Sequence, residues 1–344
     1  MKLGQSFSRA RSFGAAIHFA AIMVFCFLGT SEIHAQGLVK VPFPYSPINA
    51  ASLHWMIAKD TKIFDKYGLD VDIIYMGASS LILQSMLSGS ANLAGFAGPA
   101  IVSNVLRGGD VITVAATTPL TISVMTRPTI EKVEDLRGKK IGISRLGAVP
   151  HFAIQSILER FGVKDAVILQ VGGQPEAAAA LRRGAVDAAV LSLPHTDLLQ
   201  KEGFRELFGH RDYVKLGIKF LSGGVAARRS YAIRNRDVVM RFIKATLEGI
   251  KIMTMQESLA KQVFAKYSRQ SDPQVLDQTY KFALETVSKD PTIPKEAIVS
   301  MARLMGELGL VDRSAAMSTP AEAYYDDSYV EEIKQSGFLK ELWK

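Results

Sequence analysis

Three observations predict an exported α/β protein with two lobes. The chain opens with a basic and then apolar run of the kind that directs secretion. Beyond it, short apolar strands alternate with helices, which implies mostly parallel sheets flanked by helices on both faces. That alternation occurs in two successive units and gives way to a helical tail, expected to rest on the first lobe.

Lys2, Arg9 and Arg11 precede an apolar run from Phe13 to Leu28, and Ile33-His34-Ala35 offers a small residue before a cut at Gln36. Residues 1–35 therefore read as a secretory signal. A retained anchor is the alternative, although the run falls short of the ~20 residues a spanning helix needs. Cys26 is preceded by Met23-Val24-Phe25, whereas a lipidation site would place small residues there. Cleavage would remove that single cysteine, so an exported mature chain would have no disulfide and must rest on its apolar cores. It would also remove three cations and Glu32, taking the formal charge from +8 to +6. That balance suits an anionic ligand but is first a solubility property. No basic cluster interleaves with aromatics, which argues against nucleic-acid binding.

The elements follow in order. A strand over 38–42 ends in the turn Pro44-Tyr45-Ser46-Pro47-Ile48-Asn49, which opens a helix over 50–59. Residues 62–67 form a second short helix stopped by Gly68. A strand over 69–75 alternates polar and apolar residues. Gly77-Ala78-Ser79-Ser80 leads into a helix over 81–87, with either serine as N-cap. After a strand over 93–96, Gly98-Pro99 opens a helix to Leu106, because proline suits a first turn whose N–H needs no intrahelical partner. Strands over 111–117 and 122–126 carry the chain into the second unit. There a charged turn, Glu134 to Gly138, precedes a strand over 140–143, and Ser144-Arg145-Leu146-Gly147 opens a helix over 148–161. A strand over 166–171, the turn Gly172-Gly173-Gln174-Pro175 with a helix to Arg183, a strand over 186–192 and a helix over 194–202 follow. A returning strand over 220–227 precedes helices over 235–255, 257–267, 273–288, 295–308 and 327–335. The division expected is 36–118 and 222–344 for lobe 1, and 119–221 for lobe 2.

Three stretches carry a resemblance: Lys62-Ile63-Phe64-Asp65-Lys66-Tyr67-Gly68-Leu69-Asp70-Val71, Glu134-Asp135-Leu136-Arg137-Gly138-Lys139-Lys140-Ile141-Gly142, and Leu181-Arg182-Arg183-Gly184-Ala185-Val186-Asp187-Ala188-Ala189. With them the chain resembles periplasmic solute-binding proteins of ABC importers, in the group that binds nitrate, taurine, alkanesulfonates and thiamine-pyrimidine precursors. The resemblance implies a type 2 periplasmic binding protein fold that closes on a solute and delivers it to an inner-membrane permease. It implies a monomer in the periplasm with no cofactor and no metal.

Ligand contacts in such relatives come from turns after strands. These map onto Tyr45, Ser46 and Asn49, then Ser79 and Ser80, Gly98, Thr117 and Thr118, Arg145, Gly147 and Ala148, and Gly173. Helix starts supply unpaired N–H donors and a partial positive charge, so several converging ones can hold a carboxylate or sulfonate without a lysine. Each residue has a second reading. Ser79 or Ser80 could simply cap its helix. Arg145 could grip an acidic solute or sit at the rim in a salt bridge. Tyr45 could stack on a solute or pack under the first helix. Trp55 reads as core, and His54 and His151 as helix-surface or cleft residues without metal-ligand spacing. His195 could border the cleft. The acidic pairs Asp326-Asp327 and Glu331-Glu332 read as solvated helix-end charge, and Lys139 and Lys140 as surface.

The function expected is capture of a small organic anion, a sulfonate or aromatic carboxylate, rather than catalysis. An enzyme on the same fold, acting on an aromatic or pyrimidine-like molecule, is the rival; a sensory ligand-binding protein is another. Without a cysteine the mature chain has no thiolate nucleophile, and no Gly-x-Ser-x-Gly, His-Glu-x-x-His or phosphate-loop motif is present.

Overall fold

The computed structural model describes residues 37–344 apart from 97, 219 and 220 and the side chain of 222. The signal expected over 1–35 lies outside the described residues, as does the expected start of the returning strand at 220.

The first unit runs β1 (Val39–Tyr45), α1 (Leu53–Asp60), α2 (Ile63–Lys66), β2 (Leu69–Tyr75), α3 (Ser79–Leu87), β3 (Leu93–Gly95), α4 (Pro99–Leu106) and β4 (Val111–Pro119). The second runs β5 (Ser123–Thr126), β6 (Lys140–Ile143), α5 (Val149–Arg160), β7 (Val167–Gln170), α6 (Gln174–Arg182), β8 (Ala188–Leu191), α7 (His195–Lys201), β9 (Arg205–Phe208) and α8 (His210–Lys215). Then follow β10 (Leu221–Arg228), α9 (Arg229–Arg234), α10 (Arg236–Met255), α11 (Glu257–Ser268), α12 (Pro273–Thr286), α13 (Lys295–Glu307), α14 (Arg313–Ser318), α15 (Ser328–Gln335) and α16 (Phe338–Leu342). None of the described helices is long and apolar enough to cross a membrane.

Two five-stranded sheets result, in the orders β2-β1-β3-β10-β4 and β7-β6-β8-β5-β9. This is the two-lobed, helix-flanked α/β fold expected, and both sheets are mixed. β1 is parallel to β2 and β3, whereas β10 runs antiparallel to β3 and β4. In the second sheet β6 is parallel to β7 and β8, and β5 runs antiparallel to β8 and β9. The antiparallel members are the strands next to the crossings, because a chain arriving from the other sheet enters from the opposite end.

β1 is longer than expected, continuing through Pro42 and Pro44. Val39 N–H bonds to Gly68 across the β1–β2 ladder, so odd-numbered donors face β2. Pro42 and Pro44 turn their missing donors towards β3, which β1 meets only at Tyr45. The short edge strand β9 and helices α8, α14 and α16 were not expected. They are four to six residues long, too short for a periodic pattern to show.

The first core packs α1, α10 and α11 on the first sheet. Phe242 of α10 is fully buried, with ring centroids 4.6 Å from Phe43 and 5.2 Å from Phe64. Tyr280 and Ala283 of α12 and Val330 and Ile333 of α15 join this core, so the tail rests on the first sheet. The second core gathers Val124, Ile141, Ile143, Phe152 and Val190, and Met301 of α13 shares it along with Val102 of α4. One tail helix thus packs beside both lobes.

Candidate functional site

The turns after β1, β2 and β6 and the starts of α3, α5 and α6 converge on a cavity of about 60 Å³. Open α/β sheets bind ligands beyond the carboxyl ends of their strands. Ser46, Asn49, Trp55 and Ser79 line one side, Ser144, Ala148 and Gln174 the other, and Thr121 and Ile122 contribute from the crossing. Among the described residues, none that lines it is charged.

The polarity of the walls follows from the sequence at the helix starts. Ala78, Ala148 and Gly173 stand at the N-caps of α3, α5 and α6, and none supplies a capping side chain. In α3 the first turn bond is Leu81 N–H to Ala78 C=O (3.0 Å), with the N–H groups of Ser79 and Ser80 ahead of it. In α5 it is His151 N–H to Ala148 C=O (3.1 Å), with Val149 ahead. First-turn donors have no intrahelical acceptor and carry the positive end of the helix dipole.

Two amides are held in fixed orientation. Asn49 Oδ1 accepts Ala51 N–H (2.9 Å), and Gln174 Oε1 accepts Ser192 N–H (2.9 Å). A backbone N–H can only donate, so each amide oxygen must face it and each NH2 becomes the donor end. Asn49 Nδ2 donates to Ser192 Oγ (2.9 Å), and Ser192 Oγ donates to Gln174 Oε1 (2.9 Å). Among the described residues Trp55 Nε1 and Ser79 Oγ have no hydrogen-bond partner. A buried polar atom left so costs about 1–3 kcal/mol, which a ligand with acceptor atoms offsets. The cavity is therefore uncharged and rich in donors.

The NMT1/THI5-like family profile matches residues 49–258, more than half of the chain. The chain belongs to the NMT1/THI5-like family. Its sequence is 25% identical over 193 residues to the taurine-binding periplasmic protein of Escherichia coli (strain K12), an overlap of 55% of this chain and 59% of that relative. The chain thus spans less than two thirds of the curated relative it matches. Its fold is similar to that of the alkanesulfonate-binding protein SsuA from Xanthomonas axonopodis pv. citri bound to MOPS: TM-score 0.70, 21% identity, covering 83% of this chain and 99% of that one. It is also similar to the periplasmic nitrate-binding protein NrtA from Synechocystis PCC 6803: TM-score 0.71, 11% identity, 87% and 89% covered.

In this NMT1/THI5-like chain, four of the twelve residues named from sequence line the cavity: Ser46, Asn49, Ser79 and Ala148. Gly173 stands next to Gln174 at the seam between lobes, where a Cβ on Gly77 would lie 3.6 Å from Gly173 Cα. Ser80 is half-buried, with its hydroxyl unpaired among the described residues. Gly147 donates its N–H to His151 Nδ1 (3.2 Å), which shapes the turn rather than the cavity wall. Arg145, in the same turn, is exposed and is not among the lining residues. Tyr45 is buried in the first core, 6.3 Å from the Tyr75 ring; burial first, and then Tyr75, push its hydroxyl up to about 12. Gly98 opens α4 at φ +81, packed against Leu221. Thr117 and Thr118, near the end of β4, border a separate apolar cavity of about 410 Å³ with Leu120, Tyr213 and Leu221.

Two further expectations change. Trp55 is both core and cavity wall: its ring lies 5.1 Å from Phe43, and a Cβ on Gly95 would come within 2.5 Å of it. His54 is neither on the helix surface nor in the cleft. It is fully buried 4.5 Å from Trp55, and desolvation lowers its pKa to about 3, so it is neutral. His195 opens α7 and borders a neighbouring cavity of about 120 Å³ with Tyr75 and Gln174; burial and then Arg182 lower its pKa to about 4. Gln174 and Ser144 stood within turns noted from sequence, but Ser192 and Thr121 did not stand out. Small polar residues at strand ends carry no periodic signal, and only the tertiary fold brings them together.

Proposed function

We propose that this chain is the extracytoplasmic solute-binding component of an ABC-type importer, which captures a small organic anion between its lobes by hinge closure. The observation that carries this reading is the cavity itself, a wall of fixed N–H donors from both lobes with no charged side chain among the described residues. Donors set by secondary structure and by pinned amides need little ordering on binding, which lowers the entropic cost of capture. A cationic solute would meet the positive ends of three helices and no carboxylate. A volume of about 60 Å³ suits the head group of a sulfonate or carboxylate. The relatives named above are binding proteins for taurine, alkanesulfonates and nitrate, which supports the class. In this proposal residues 36–118 and 222–344 form lobe 1 and 119–221 form lobe 2, with the described crossing at 119–122 in the hinge.

A thermal-shift panel tests the reading, because a ligand that binds only the folded chain raises the melting temperature by mass action. Taurine, methanesulfonate, benzoate and nitrate are the anionic members; dimethyl sulfone and choline are the neutral and cationic controls. At least one anion should raise the midpoint. A shift confined to the controls contradicts the anion assignment.

A further inference from the structure

We propose that Ser192 is the positioning residue that couples lobe closure to ligand recognition, an inference that rests on the cavity being the ligand cleft. Ser192 follows β8 of the second sheet, is 2% exposed, and does not itself line the cavity. Its hydroxyl accepts from Asn49 Nδ2, beyond β1 of the first sheet, and donates to Gln174 Oε1 at the start of α6. The other two members of this relay, Asn49 and Gln174, both line the cavity and are also buried, at 2% and 8% exposed. One hydroxyl therefore joins the two amides that a ligand meets from opposite lobes.

The relay has one direction. Asn49 must donate because its oxygen is committed to Ala51 N–H, and Gln174 must accept because its oxygen is committed to Ser192 N–H. The hydroxyl accepts and donates through a single atom, which neither the oxygen nor the nitrogen of an amide can do. When the lobes part, Asn49 Nδ2 loses a protein acceptor that only the other lobe supplies. Closure restores it in the geometry that turns both amide groups to the solute.

Among the described residues the amide of Gln278 in α12, with its nitrogen turned to the buried carboxylate of Asp197 in α7, also links these parts of the chain, and two more polar links are exposed ion pairs. Lys201 meets Asp272 (3.0 Å) and Arg211 meets Glu285 (3.1 Å), both joining the second lobe to α12. Exposed pairs contribute little, whereas a buried, fully paired hydroxyl keeps its contribution. The relay differs from the Gln278–Asp197 contact in reaching the two ligand-facing amides, and it outweighs the rim charges in setting the closed population.

The test uses the full chain carrying Cys26→Ser, with spin labels on cysteines introduced at exposed Asp72 and Lys164, one on each lobe. Methanesulfonate is the probe. Wild type should show a short-distance component that grows with the probe. Ser192→Ala should lose that component in part and bind the probe about tenfold more weakly, the equivalent of two neutral hydrogen bonds. Ser192→Thr, which keeps the hydroxyl, should restore both. Selectivity for methanesulfonate over dimethyl sulfone should stay unchanged in Ser192→Ala, since Ala51 N–H and the backbone N–H of residue 192 still pin the amides. A merely structural role would lower the melting temperature without moving the distance distribution. Ser192→Ala with wild-type affinity and distances overturns the proposal. If wild type binds no member of the anion panel, the transport reading falls, and the relay is judged on the ligand-free distances. There an unchanged distribution in Ser192→Ala, or no short component in wild type, overturns it.

Discussion

Replacing Gln174 by glutamate changes one NH2 to one oxygen and leaves the rest of the site in place. The Ser192 N–H and hydroxyl bonds to the retained oxygen survive, at 2.9 Å each in the native chain. What changes is the free end, from a donor to part of a carboxylate. Loss of a hydrogen bond to a charged ligand removes about 1.5–3 kcal/mol. Two unit charges at ~4 Å in a medium of effective dielectric ~20 repel by about 4 kcal/mol. The variant can limit the repulsion by taking up a proton, which costs about 3.7 kcal/mol at pH 7 from an ordinary carboxylate of pKa ~4.3 and about 1.4 kcal/mol less for each unit by which burial raises that pKa. With burial raising the pKa by about one unit, the net loss is about 2 kcal/mol, about 30-fold in Kd. The fold should lose some stability, because a carboxylate at this buried position is desolvated and stands near Glu176 in the same first turn, and the helix dipole offsets only about 0.3–1 kcal/mol of that. Calorimetric titration with methanesulfonate and a melting curve on the same samples separate the two effects. The affinity of Gln174→Glu should also recover as pH falls and the carboxyl protonates, while that of wild type holds. A Gln174→Glu protein that binds within threefold of wild type at pH 7 refutes the donor account of the cavity.

Other outcomes follow from the same geometry. Trp55→Phe removes the unpaired indole N–H while keeping an aromatic wall, and should weaken methanesulfonate binding by about 1–2 kcal/mol in a titration if that N–H meets the ligand. Arg145→Ala should bind the probe as wild type does, since the side chain is exposed and away from the lining; a tenfold loss would bring Arg145 into the site. Phe242→Ala should cost about 3–5 kcal/mol in urea unfolding, from the cavity left between Phe43 and Phe64. His54 has a folded pKa of about 3 against 6.5 unfolded, so the unfolded chain binds the extra proton between those values. Stability should be independent of this group above pH 6.5. It should then be lost as pH falls towards 3, by up to about 1.4 kcal/mol per pH unit. His54→Leu should flatten that limb of a urea-unfolding pH series, and an unchanged slope would contradict it.

The sheets and most helices were legible because their signals are local. Gly68 ends α2 at a left-handed φ of 70, and Pro99, Pro150, Pro175 and Pro273 each stand in the first turn of a helix, where proline is tolerated. The reversed strands β5 and β10 show why topology was less so. Their direction is set by how the chain re-enters a sheet, and no run of four residues records it. The site was legible in part. Asn49 and Ser79 stood at turns before helices, and the structure places both on the cavity. Trp55 was read by its apolar neighbours alone, so its second face on the cavity was missed. Ser192 could not be recognised, since its role depends on Asn49, 143 residues away. Arg145 drew attention as the lone charge in its turn, but a guanidinium at the surface keeps its hydration, and the turn's N–H at Leu146 is taken by Gln170 Oε1 (3.0 Å).

A crystal structure of the protein grown with methanesulfonate tests the central claim most directly. The sulfonate oxygens should lie about 2.7–3.2 Å from Gln174 Nε2 and from the N–H groups of Ser79 and Val149, with Asn49 still bonded to Ser192. A sulfonate seated on Arg145 or another surface cation, with the cavity between the lobes holding none, would contradict the account.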